Sequence, residues 1–209
     1  MAPRLSLPAL LFAVFVTALG YGIVLPVLPL IVQRLTGTSE PAVIARHTAF
    51  ITAIFAAAPL AAAYPWGRCS DRIGRRPILV VGLVGFGLTL AASGMVESLP
   101  VLYAIRLLNG GFAATIVPAA LAYTADSETD EYRRVRRFSW ISMASIIGFL
   151  AGPMLGGVTA RWDGLALAEV IAFPSNAVPF LLAASLAMAG AMAACTAASI
   201  IAHRWERRS

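Results

Sequence analysis

Six separate stretches of this chain, near 7–32, 43–66, 77–96, 99–125, 138–160 and 177–202, are apolar over a length that limits the fold more than any other feature. A bilayer core of ~30 Å takes about 20 helical residues to cross. Inside hydrocarbon no water is available to the peptide groups, so a crossing segment must satisfy its own backbone, and a helix does so. The expectation is an all-α membrane protein with six transmembrane helices, forming a single bundle over 1–209. The first stretch is too long, and too closely followed by others, for a cleaved signal peptide. Composition agrees: 59% of residues are apolar without counting glycine, and only 12% are charged. That leaves too little polar surface to coat a soluble globule, which excludes a soluble enzyme or nucleic-acid binder. Cys69 and Cys195 match neither a metal-ligand cluster nor a disulfide framework and read as free thiols.

The net charge of +6 and the pI near 10.1 come from sixteen arginines, with no lysine. Between the six stretches they segregate. Arg4, the loop from Arg68 to Arg76, the loop from Arg133 to Arg137, and Arg204, Arg207 and Arg208 fall on one side. Arg34, Arg46 and Arg161 fall on the other, and Arg106 lies inside a span. By the positive-inside rule both termini are expected in the cytoplasm, in an integral plasma (inner) membrane protein. The basicity then reflects topology and attraction to lipid headgroups, with no nucleic-acid partner.

A weak repeat runs through the chain. Ile23-Val24-Leu25-Pro26 in span 1 is echoed by Thr115-Ile116-Val117-Pro118 in span 4, and the Gly67, Asp71, Gly74 spacing by Gly157, Arg161, Gly164. Three spans followed by three of opposite topology is the 3+3 inverted repeat of secondary transporters. The segment joining spans 2 and 3, expected to be a short loop, reads Gly67-Arg68-Cys69-Ser70-Asp71-Arg72-Ile73-Gly74-Arg75-Arg76-Pro77. Here Gly67 would let helices approach, Gly74 would permit a tight reversal, and Asp71 can pair with arginines or a helix N-terminus. This segment resembles the G-x-x-x-D-R-x-G-R-R signature of the major facilitator superfamily at every defining position. The resemblance implies a cytoplasmic gate built from Gly67, Asp71, Arg72, Gly74, Arg75 and Arg76.

Three further stretches resemble the drug:proton antiporter branch of that superfamily, of the tetracycline and multidrug efflux kind. Span 1 carries Leu19-Gly20-Tyr21-Gly22-Ile23-Val24-Leu25-Pro26-Val27-Leu28-Pro29, with paired prolines. Span 4 carries Arg106-Leu107-Leu108-Asn109-Gly110-Gly111, with Asn109 where the family pattern has glutamine. Arg106 lies about 10 Å in from the span's outer end, at ~1.5 Å per residue, too deep to snorkel easily. Arg106, Asn109, Gly110 and Ala113 fall on one helical face, expected to line a central cavity. Span 5 carries Gly148-Phe149-Leu150-Ala151-Gly152-Pro153-Met154-Leu155-Gly156-Gly157, like the antiporter motif G-x-x-x-G-P-x-x-G-G. Glycines at 148, 152 and 156 bare one face so that a partner helix can come close. Asp126, after span 4, also resembles the branch pattern, as does Ala177-Val178-Pro179-Phe180 at the start of span 6. The resemblance implies proton coupling at Arg106, with Asn109 and Tyr21 as cavity residues.

The resemblance covers essentially the whole chain but half of the family's twelve-span architecture. A second six-helix half is therefore expected, as a homodimer partner or a separate chain, or else the chain is a fragment. One bundle alone is expected to leave Arg106 and Asn109 facing lipid. Glu40, Glu97, Asp163 and Glu169 fall outside and Asp71, Asp126, Glu128, Asp130, Glu131 and Glu206 inside, so no carboxylate lies at mid-membrane. Neutral or anionic lipophilic substrates fit that better than cations. The leading expectation is half of a secondary active transporter that exports small lipophilic or antibiotic-like compounds by alternating access, with membrane lipid, small-molecule substrate and protons as partners. The alternative is a non-transporting half-length subunit or fragment that scaffolds or regulates a full transporter. No nucleophile and base pair, metal cluster or phosphate loop appears, so neither enzyme activity nor a cofactor is expected, and His47 and His203 read as interfacial histidines. The topology is testable: single cysteines placed at Ser39 and Ser98 should react with a membrane-impermeant maleimide added outside, and labelling only from the cytoplasmic side would overturn it.

Overall fold

In a computed structural model of the chain, residues 5–160 and 180–192 are described, and no strand occurs among them. Five helices there are long and apolar enough to cross a membrane: α1 (Leu7–Thr36), α2 (Pro41–Ile73), α3 (Arg75–Gly94), α4 (Leu99–Ser127) and α5 (Glu131–Ala160). A sixth, α6, is described over Phe180–Met192. The expectations for Arg4, Arg161, Asp163, Glu169, Cys195, His203 and the arginines after it lie outside the described residues. Three helices begin with proline in the first turn, at Pro8, Pro41 and Pro100, where its missing N–H is no loss. Interior prolines at Pro26, Pro29, Pro59, Pro65, Pro118 and Pro153 do not end their helices.

Two expectations about the joining segments are corrected. The stretch after Gly67 is not a loop: α2 runs on through Asp71 to Ile73, and only Gly74 separates it from α3. Gly74 holds φ +98°, a conformation that side chains rarely adopt, and this lets the chain reverse in one residue. Likewise Arg133 to Arg137 lie on the first turns of α5, not in a loop. In both places the polar sequence is compatible with helix, so the helices continue past the apolar stretch on the arginine-rich side.

The core gathers around α1. Val14, Leu19, Ile23, Val27 and Ile31 of α1, Leu83, Phe86 and Leu90 of α3, Leu102 and Ile116 of α4, and Phe180 and Ala187 of α6 are buried together. Two buried hydroxyls close onto the carbonyl a turn behind, Thr17 to Ala13 (2.8 Å) and Thr124 to Ala120 (2.8 Å), so these carry no unmet donor into the apolar interior. Lipid tails are as apolar as leucine, so close backbone packing must supply what the hydrophobic effect cannot. The glycines do this. A Cβ at Gly152 would stand 2.5 Å from the Gly22 Cα and 2.7 Å from the Leu19 carbonyl oxygen, and one at Gly148 or Gly156 would strike the backbone of Phe15 or Ile23. The bare face of α5 is thus pressed against α1.

The same crossing is made twice. Gly22 of α1 leaves room for the Phe149 carbonyl of α5, and Gly110 of α4 leaves room for the Phe55 carbonyl of α2. Exchanging α1 for α4 and α2 for α5 converts one contact into the other, which is the relation a 3+3 inverted repeat requires. The main helix pairs obey it too, since α1 packs chiefly on α5 and α2 packs on α4. Gly157, by contrast, meets nothing within 4 Å among the described residues. Gly152→Val should therefore force α1 and α5 apart and cost about 1–3 kcal/mol, whereas Gly157→Ala should not lower the thermal midpoint in detergent. Equal midpoints for the two variants would refute the close crossing.

Candidate functional site

The site residues fall into two groups at different depths. At the arginine-rich end, Arg75 opens α3 directly after Gly74 and reaches back and across. Its Nη1 donates to Asp71 on α2 (2.5 Å) and to the Ser70 hydroxyl (3.2 Å), and its Nε donates to Asp126 near the end of α4 (3.2 Å). One guanidinium thereby ties the ends of three helices, which is possible because its five donors are spread in a fixed fork. Arg72 is exposed and Arg76 half-buried. A Cβ at Gly67 would meet nothing within 4 Å among the described residues. A second pair, Arg137 to Glu128 (2.8 Å), ties α5 to the segment that follows α4.

The deeper group surrounds Arg106. Its side chain is 2% exposed, so the six-helix bundle itself buries it, and the expectation that it would face lipid is corrected. The guanidinium carbon lies 5.6 Å from the centre of the Phe180 ring of α6, a cation–π contact. Tyr21 of α1 stands within electrostatic reach of it. Its Nε and Nη2 make no hydrogen bond among the described residues. Unmet donors on a buried cation are costly.

Asn109 departs from the cavity face. It is 1% exposed and its Nδ2 donates to the Phe86 carbonyl (3.1 Å) and the Thr89 hydroxyl (2.8 Å), both on α3. The expected shared face is therefore divided: Arg106 looks toward α1 and α6, Asn109 toward α3, and Gly110 toward α2. Tyr21 brings in two residues that spacing did not reveal. Its ring stacks on Phe55 of α2 (4.9 Å, 19°) and on Phe149 of α5 (5.6 Å, 20°). The signal lay only in the repeat, which puts Phe55 and Phe149 at corresponding crossings. At the opposite end of α2, His47 Nδ1 and the Tyr103 hydroxyl are 3.0 Å apart.

Comparison with known proteins matches the family model described as Major Facilitator Superfamily over residues 10–195. The chain belongs to the Major Facilitator Superfamily. It is 36% identical over 141 residues to the tetracycline resistance protein, class B, of Escherichia coli, covering 67% of this chain and 34% of that protein. It is 32% identical over 191 residues to multidrug resistance protein 1 of Bacillus subtilis, covering 90% of this chain and 44% of that one. Among solved structures, the human organic anion transporter MFSD10 (TETRAN) superposes with a TM-score of 0.68 at 21% identity, covering 90% of this chain and 46% of that chain. The chain thus spans less than half the length of these relatives. It is an integral membrane protein with the helical architecture of the superfamily.

At the arginine-rich end the ion pairs are open to solvent, with Arg75 28% and Asp126 62% exposed, and such pairs are worth ~0.2–1 kcal/mol each. A Cβ forced into the Gly74 conformation costs about 1–3 kcal/mol. Gly74→Ala should consequently lower thermal stability more than Arg75→Ala. The reverse order of melting points would show that the charges, and not the turn, hold α2 to α3.

Proposed function

We propose that this chain is one six-helix half of a secondary transporter in the plasma (inner) membrane, with both termini cytoplasmic. It exports small lipophilic or antibiotic-like compounds in exchange for protons, by rocking against a second six-helix half that is either another copy or a separate chain. The observation that carries this reading is Arg106: a cation buried deep in a membrane bundle, with free donors and no ion pair among the described residues. Placing it at the bilayer centre costs at least ~2.5–3.5 kcal/mol on insertion scales, so its presence calls for work that only a charge can do. The tetracycline- and multidrug-resistance names of the relatives support the direction of transport and the class of cargo. The Arg75 junction supports a gate at the cytoplasmic end, since one side chain there links α2, α3 and α4. Of the antiporter motif in span 5, Gly148, Gly152 and Gly156 serve as the α1 contact, Pro153 sits beside it, and Gly157 faces open space.

In this reading Arg106→Ala abolishes pH-gradient-driven flux while abundance in the membrane is kept, because removing the charge relieves an insertion cost. Arg106→Lys rescues poorly, since the ammonium keeps the charge but not the planar fork. Asp71→Asn slows flux and leaves ligand affinity alone, because it lies at the gate. Flux in proteoliposomes and equilibrium binding decide between them. Undiminished flux in Arg106→Ala would leave Arg106 a structural residue, and a chain that binds but never transports with any second half would favour the scaffolding role.

A further inference from the structure

Tyr21 occupies an unusual place. Its ring is held between two others that come from helices on either side of α1, Phe55 of α2 and Phe149 of α5, nearly parallel to both. Ring-to-ring separations of 4.9 Å and 5.6 Å are those of aromatic stacking, so the space between the two phenylalanines is one ring thick and Tyr21 fills it. The walls are set by backbone: Gly22, next to Tyr21, packs against the Phe149 carbonyl, and Gly110 packs against the Phe55 carbonyl. The filling is held less firmly, because Tyr21 is half-buried and Phe149 is 40% exposed. Within electrostatic reach of Tyr21 is Arg106, buried, with Nε and Nη2 unpaired among the described residues.

The geometry points to a self-plugged binding slot: a planar aromatic or conjugated cargo bearing a carboxylate or other anionic acceptor displaces the Tyr21 ring, stacks between Phe55 and Phe149, and pairs its anionic group with the free donors of Arg106. Each part of the site selects one part of the cargo. The two phenyl walls select a flat ring system, because only a flat group enters a gap one ring thick. The cation selects the acceptor, and does so strongly because it is shielded from water and unmatched by a carboxylate among the described residues. Tyr21 acts as an internal competitor. It keeps lipid tails and water out of the empty slot, and its displacement taxes every ligand equally, whatever the ligand's chemistry. This inference names the cargo class of the transport site proposed above and rests on that reading for its physiological meaning, though not for its binding.

The plug makes a prediction that an ordinary contact residue would not. Anthracene-9-carboxylate, its neutral carboxamide and adamantane-1-carboxylate supply a flat anion, a flat neutral molecule and a bulky anion, and their binding to the purified chain in nanodiscs is read by anthracene fluorescence and by displacement. The unmodified chain should prefer the flat anion. Tyr21→Ala should tighten it by about tenfold, since the competitor is gone, and Tyr21→Phe should leave it unchanged, since the plug remains. Phe55→Leu and Phe149→Leu should weaken both flat probes on the order of threefold to tenfold and spare the bulky one. Arg106→Gln should weaken the anions and spare the amide. Weaker or unaltered binding in Tyr21→Ala, or no preference for flat anions in the unmodified chain, would overturn the slot. Flux is measured separately: binding as described without transport removes the export reading and keeps the slot, while transport of the bulky anion with no response to Tyr21, Phe55 or Phe149 removes the slot and keeps export.

Discussion

The contact on which the rest of this structure depends is the one between glycine and a carbonyl oxygen, made by Gly22 with Phe149 and by Gly110 with Phe55. In lipid, two apolar helices gain nothing from hiding side chains from each other, since the tails solvate them equally well. They gain from approach close enough for backbone dispersion and weak C–H to oxygen bonds, and every side chain at the crossing stands in the way. Bare backbone at 148, 152 and 156 removes that obstacle along three turns of α5. It fixes not only which helices meet but also the register at which they meet. Because register is fixed, the residue beside each glycine is placed as well, and Tyr21 is brought between Phe55 and Phe149 in this way.

The second constraint is electrostatic. Arg106 is among the largest fully buried side chains, and it forms no ion pair among the described residues. Two features lower the cost of holding it. The Phe180 ring presents its negative face to the guanidinium, and the Tyr21 phenol adds a nearby dipole. Neither satisfies Nε or Nη2. The contrast with Arg75 is instructive. That side chain, partly in water and bonded to two carboxylates and a hydroxyl, contributes little stability while it joins three helix ends.

Much of this was legible in the sequence, and for identifiable reasons. Helix number follows from apolar length, because the bilayer sets one length for all. Gly74 and the 148, 152, 156 series were readable because backbone freedom and bare faces are properties of glycine itself. For Gly67 the sequence could give backbone freedom but not a neighbour, because what meets a helix face is not encoded within that helix. The arginines near 72 and 134 were taken for loop because polar sequence at a membrane border suits either loop or helix. Asn109 was set on the cavity face since a periodicity of 3.6 groups residues without saying which neighbour each meets, and four helices crowd around that turn of α4. Phe55 and Phe149 went unseen altogether. They are separated by 94 positions in a chain with ten phenylalanines, and only the fold makes them a pair.

That pairing links the inverted repeat to function. Had Phe55 and Phe149 arisen independently, nothing would oblige them to stand at equal depth on either side of α1. As corresponding members of two three-helix repeats they are placed by the same crossing used twice, so a gap with like walls follows from the symmetry. What breaks the symmetry is the residue next to each glycine: Tyr21 before Gly22, Asn109 before Gly110. The tyrosine turns into the gap, whereas the asparagine turns away to bond α3. Identical packing thus supplies the walls, and one difference in side chain supplies the plug. The cation that the plug covers comes from the asparagine's own helix, one turn away.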